Sequence, residues 1–248
     1  MRLGLGRLGI LLGLAALAAA CFGGDESQPA TSPQPPVGHG NLFANPSFEQ
    51  GREPWVSLST EPWGSPFSLS SETAHTGTHS AFLEMRATAD AGTRVWGVVQ
   101  EMSPEEFPEL ISGYYRVGQW TRGTSVQYLQ FVVVVFGATN MPPPFPNYQI
   151  RYPLAGIDAP PYGMLNAEFI LVGTQEPVSD DWVYFERNVR QDFLEEWGVV
   201  PEGFSKIRTL FVVRYEDKEE GVTTPTADVF YDDLYLGPAS ANPNAPNR

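Results

Sequence analysis

The sequence predicts an all-β protein, a β-sandwich carrying one short surface helix. Runs of aromatic and β-branched residues at 94–100, 114–120, 126–136, 168–172, 183–186 and 207–215 are separated by clusters of Gly, Pro and Ser. Nothing alternates strand with helix in the manner of a parallel sheet, and no segment repeats. Residues 188–197 alone hold a longer helical pattern, with Val189, Phe193, Leu194 and Trp197 in register and Gly198 just past the end. Its charged side, Arg190, Asp192 and Glu195, reads as a solvated face. Ser103-Pro104-Glu105-Glu106 opens a further single turn: a capping serine, a proline at the first position, and a glutamate three residues on.

Residues 1–21 read as an export signal. Arg2 and Arg7 precede an apolar core, Leu8 to Leu17, too short to span a bilayer. Small residues then lead to Cys21, the single cysteine of the chain, which excludes an internal disulfide and a cysteine metal site. The run Leu17-Ala18-Ala19-Ala20-Cys21 resembles a bacterial lipobox, which implies that Cys21 carries lipid and anchors the protein at an outer membrane or cell surface. The alternative is an ordinary signal with an incidental cysteine; either implies export. Residues 22–40 are polar and proline-rich, a disordered tether whose reach is about 25 Å. Residues 239–248 form a similar tail, which leaves 41–238 as one domain expected to be monomeric.

The formal charge is −14, and removing residues 1–21 takes two arginines and no acid. So acidic a chain argues against nucleic acid, whose phosphates need cations. It also argues against electrostatic adhesion to anionic lipid, which leaves the N-terminal lipid as the only membrane contact.

Three motifs stand out: Asn41-Leu-Phe-Ala-Asn-Pro-Ser-Phe-Glu-Gln-Gly51 with Trp55, residues 74–85 (Ala-His-Thr-Gly-Thr-His-Ser-Ala-Phe-Leu-Glu-Met), and Val229-Phe-Tyr-Asp-Asp-Leu-Tyr-Leu-Gly237. Strict alternation in the last puts Phe230, Asp232, Leu234 and Leu236 on one face. A carboxylate among leucines is costly without a partner. A hard cation shared with Glu49 would supply one.

Together these motifs resemble carbohydrate-binding modules of families four, nine and twenty-two. The resemblance implies a galactose-binding-like β-jelly roll, a glycan partner, and a structural Ca²⁺ held by Glu49 and Asp232. Backbone carbonyls of Asn41 and of the Thr76-Gly77-Thr78 turn could complete its shell. The alternative is that both acids cap local backbone amides.

Sugar binding calls for aromatic faces beside planar polar groups. Arg94, Trp96, Val98 and Gln100 share one strand face, and Trp96, Gln130 and Arg214 are candidates for a concave binding surface. The proline-rich stretch 137–167 reads as a long loop that presents Tyr148 and Tyr152 to a ligand, or else as a flap over the sheet. His75 and His79 flank a Thr-Gly-Thr turn and lack a third ligand for zinc. The acid pairs 105/106, 180/181, 195/196 and 232/233 are sequence neighbours, so on a strand they point apart rather than face each other across a glycosidic bond. No nucleophile elbow is present. The reading is non-catalytic. Its alternatives are an envelope protein binding another protein, and a polysaccharide lyase or hydrolase, a lyase using Tyr, Arg and His.

Overall fold

A computed structural model describes residues 40–58, 64–86, 93–123, 126–173, 176–215 and 224–245. The signal, Cys21 and the tether up to residue 39 lie outside the described residues. The chain forms β1 (Val56–Ser57), β2 (Gly64–Ser65), β3 (Ser68–Ser70), β4 (Ser80–Arg86), β5 (Arg94–Met102), β6 (Leu110–Thr121), β7 (Gln127–Phe136), β8 (Asn147–Ala155), β9 (Ala167–Phe169), β10 (Trp182–Arg187), α1 (Val189–Trp197), β11 (Lys206–Tyr215) and β12 (Thr226–Gly237). Two sheets pack face to face. The larger runs β1-β5-β11-β7-β8-β9 with β2 beside β5, and the smaller runs β10-β6-β12-β4-β3. From β4 onward the long strands cross from one sheet to the other, except at the β7–β8 hairpin. The fold is therefore the expected β-sandwich, of jelly-roll type.

Alternation sorts the side chains. Leu129, Phe131, Val133 and Val135 of β7 enter the core, as do Phe211 and Val213 of β11 and Val229 and Tyr231 of β12. Phe211 sits at the centre, its ring 5.4 Å from that of Tyr231, 5.9 Å from Phe43 and 6.1 Å from Trp55. The aromatics of the first motif thus serve packing. Asn45 makes their turn possible: at a positive φ of 49°, its amide donates to the carbonyls of Gly51 and Glu53 and accepts from Gln50 N–H.

Helix α1 forms as its pattern predicts, capped by the Asn188 side chain at Gln191 N–H and ended by Gly198 in the left-handed region. Asp192, expected on a solvated face, is instead buried and paired with Arg187 at 2.5 Å. Residues 103–106 form no helix but part of the bend that links β5 to β6.

The largest departure lies in 137–167. Residues 147–155 are not loop but β8, paired with β7 along its length and parallel to β9. Tyr148, Ile150, Tyr152 and Leu154 alternate into the core, and Asn147, Gln149 and Arg151 lie on the outer face. Pro153 is tolerated because the register shifts beside its partner Gln130.

Candidate functional site

β12 does not alternate strictly. Its register against β6 shifts after Asp232, and Asp233 adopts a positive φ of 48°. This bulge inserts one residue, so Tyr231 and Leu234 both reach the core while Asp232 falls on the outer side with Phe230. The leucine face predicted for Asp232 is corrected accordingly.

The bulge delivers two carboxylates to one turn, 75–79. Asp232 Oδ2 accepts the N–H groups of His75 at 2.7 Å and Thr76 at 3.3 Å, and its Oδ1 accepts Asp233 N–H at 2.7 Å. Glu49 Oε1 accepts the N–H groups of Thr78 at 2.8 Å and His79 at 2.7 Å, and its Oε2 accepts the Thr78 hydroxyl at 2.8 Å. Asp233 takes the Ser47 and Thr76 hydroxyls on Oδ1 and meets His75 Nδ1 at 2.6 Å on Oδ2. The donors from Thr78, then from His79, hold the Glu49 carboxyl at about 2. Burial, then the neighbouring Asp233, pushes Asp232 up to about 7 against the pull of its own N–H donors.

These oxygens face N–H donors where a calcium ion would need a shell of oxygens. Asn41 spends its side chain on β12, accepting from Phe43 and Leu236 N–H and donating to the Leu234 carbonyl. Thr78 offers Glu49 donors. Among the described residues no three His, Cys, Asp or Glu side chains are grouped to hold a metal. As placed, the two carboxylates cap the backbone N–H groups of the turn.

Next to this turn lies the outer face of the smaller sheet. Cross-strand pairing puts Trp182, Arg116, Phe230, Phe82 and Ser68 in one row over five strands, β10 to β3. Phe82 and Phe230 stack at 4.7 Å, and the Arg116 guanidinium lies 6.0 Å from the Phe230 ring. In the neighbouring row Tyr184 pairs with Tyr114, and His75 stacks on Tyr114 at 3.6 Å, edge-on to Trp182 at 5.6 Å. Phe82, Tyr114, Trp182, Tyr184 and His75 are all half-exposed. Arg116 also donates to Thr73 Oγ1 and pairs with Asp180 at 3.2 Å, which holds a cation at the surface.

The residues singled out from the sequence lie elsewhere. Trp96 points into the core, its ring 6.2 Å from Tyr215, because the face it shares with Val98 and Gln100 is the inner one. Gln100, on that same face, pairs with the N–H and carbonyl of Ala44. Tyr148 and Tyr152 are core residues of β8, Tyr148 donating to the Pro142 carbonyl. Gln130 and Arg214 do share the outer face of the larger sheet, joined by Gln149 and Arg151, but all four are buried. Sequence reasoning passed over Phe82 and Phe230, although the alternation Ala81-Phe82-Leu83-Glu84-Met85 already placed Phe82 with charged residues rather than with the core.

No protein-family model and no curated protein matches this sequence. Among solved structures, TmCBM61 in complex with β-1,4-galactotriose is 11% identical, over 79% of this chain and 97% of that one, at a TM-score of 0.42. CBM28, a carbohydrate-binding module specific for non-crystalline cellulose, is 14% identical over 82% and 99%, at 0.38. The endo-β-1,4-glucuronan lyase of Trichoderma reesei is 12% identical over 77% and 97%, at 0.42.

Proposed function

We propose that this chain is an exported, lipid-anchored protein whose sandwich binds a glycan, without catalysis, across the open face of its smaller sheet. The observation that carries the reading is the row Trp182, Arg116, Phe230 and Phe82. Sugars present C–H faces that stack on aromatic rings, and hydroxyls that need charged or amide partners. Trp182, Arg116 and Phe82 are partly exposed here, over the buried Phe230 and backed by a rigid sheet. Five strands at about 4.8 Å spacing make the row about 19 Å wide, room for several sugar units. The three motifs of the sequence support the same reading. Lipid on Cys21 and the polar tether would keep this face clear of the membrane.

Titration of the purified protein against soluble polysaccharides tests the proposal. Wild type should bind at least one, and Trp182→Ala and Phe82→Ala should each weaken binding about tenfold or more at unchanged melting temperature. Absence of binding to every glycan tried, or full binding by both variants, would overturn it.

A further inference from the structure

The outer face of the larger sheet holds groups that the glycan-binding row does not use. Arg151 of β8 and Arg214 of β11 are both almost completely buried there, at 4% and 3% exposure. They come from strands on either side of β7, yet their Nη1 atoms meet at one oxygen, the Tyr162 hydroxyl, at 2.7 and 3.3 Å. The Tyr162 ring lies 5.6 Å from each guanidinium. Phe169 and Tyr128 add an aromatic face beside Arg151 and Arg214 respectively. Both arginines have further interactions beyond these.

Tyr162 belongs to a flap, residues 156–166. It leaves β8 at Gly156, whose φ of 106° and approach to the Gln127 carbonyl leave no room for a Cβ. It rejoins the sheet where Asn166 accepts Gln149 N–H. Asp158, Ala159, Pro160, Gly163 and Leu165 are exposed. Gly156, Ile157 and Asn166 are the buried residues of the flap, and Tyr162 is partly exposed. A segment with so few buried groups opens more easily than the strands beneath it.

We propose that Arg151 and Arg214 form a second binding site under this flap, for the carboxylate of a uronic-acid residue, with the Tyr162 hydroxyl standing where a carboxylate oxygen would sit. A phenol oxygen is neutral and offers two guanidiniums a single shared acceptor. A carboxylate offers two oxygens and a charge, and matches planar guanidinium donors two at a time. Gln130 distinguishes a sugar acid from a simple one. It lies on the same face, on the strand between the two arginines, and its Oε1 is buried with no partner among the described residues. That oxygen can only accept, so a hydroxyl beside the carboxylate would satisfy it.

Calorimetric titration of the full chain with tetragalacturonate, free galacturonate and neutral cellotetraose tests the site. Tetragalacturonate and galacturonate are expected to bind while cellotetraose leaves this site empty, so that cellotetraose does not compete with galacturonate. Tyr162→Phe keeps the ring and removes the competing hydroxyl. It should bind galacturonate about tenfold more tightly, the scale of one hydrogen bond to a charged group. Arg214→Gln should abolish that binding, and Trp182→Ala should leave it intact. Unchanged or weaker binding by a normally folded Tyr162→Phe would overturn the site, and this variant decides even where Arg214→Gln fails to fold. Loss of galacturonate binding in Trp182→Ala would move the acid to the smaller sheet and equally overturn it. Failure of the glycan-binding row shows only in the Trp182 and Phe82 variants, so the two proposals fall separately.

Discussion

Glu49 Oε1 and Asp232 Oδ2, from opposite ends of the domain, each accept two consecutive backbone N–H groups of the same turn: Thr78 and His79 for the first, His75 and Thr76 for the second. For Glu49, which stays ionised, such charge-assisted bonds are stronger than neutral ones. They tie the first motif and the last strand to the loop entering β4. A turn held in this way needs no ion. Melting curves with calcium and with chelator should therefore coincide. A rise of several degrees with calcium would show that the carboxylates rearrange around a cation after all.

The two acids respond to pH in opposite directions. Glu49 is held at about 2 against an ordinary 4.5, so its contribution is present above 4.5 and is lost as pH falls toward 2. Asp232 is pushed from 3.8 to about 7, so its folded form favours the proton, and stability declines as pH rises from about 4 through 7. Their joint contribution should peak between pH 4 and 5. Urea titrations from pH 3 to 8 would show it. Asp232→Asn should flatten the decline above pH 4, and a decline as steep as that of wild type would refute the assignment.

Gly77 separates the two pairs of amides at a φ of 65°, and a Cβ there would stand 2.5 Å from Glu49 Oε1. Alanine must strain the backbone and push Glu49 off its donors. Gly77→Ala should lower the melting midpoint by roughly 4 °C or more. A midpoint within 1 °C of wild type would mean that the turn is not what the carboxylate supports.

The proposed lipid on Cys21 has its own test. Cys21→Ser should release the protein from the membrane fraction or leave the longer precursor. A variant that fractionates and migrates as wild type does would remove the anchor.

The strands were legible where alternation ran unbroken, as in β7 and β11, and so was α1 with its asparagine and glycine caps. β8 was hidden because prolines on both sides, and Pro153 within, imitate a loop. Yet Tyr148, Ile150 and Tyr152 alternate against Asn147, Gln149 and Arg151. The facing of Asp232 could not be read, because a bulge leaves no mark in the residue pattern when the inserted residue is another aspartate. The motifs pointed to a cation shared by Glu49 and Asp232, or else to acids capping local backbone amides; the turn 75–79 that both acids cap was not read from them. Whether those acids meet a cation or N–H groups depends on backbone direction, which composition does not carry. Trp96 misled for a simpler reason: a tryptophan on an alternating strand packs inward or outward with the same spelling.

Gly40 and Gly237 lie side by side, and Asn41 clasps the end of β12 through Leu234 and Leu236. β12 also carries Phe230 of the aromatic row. If the chain upstream of Gly40 is fixed and a bound polymer is dragged, tension enters at Phe230 and runs along β12 to Asn41. The ladders joining β12 to β4 and β6 lie crosswise to that pull, so their hydrogen bonds share the load in shear instead of unzipping one by one. Under such a load the domain would be braced along the line between Phe230 and Asn41.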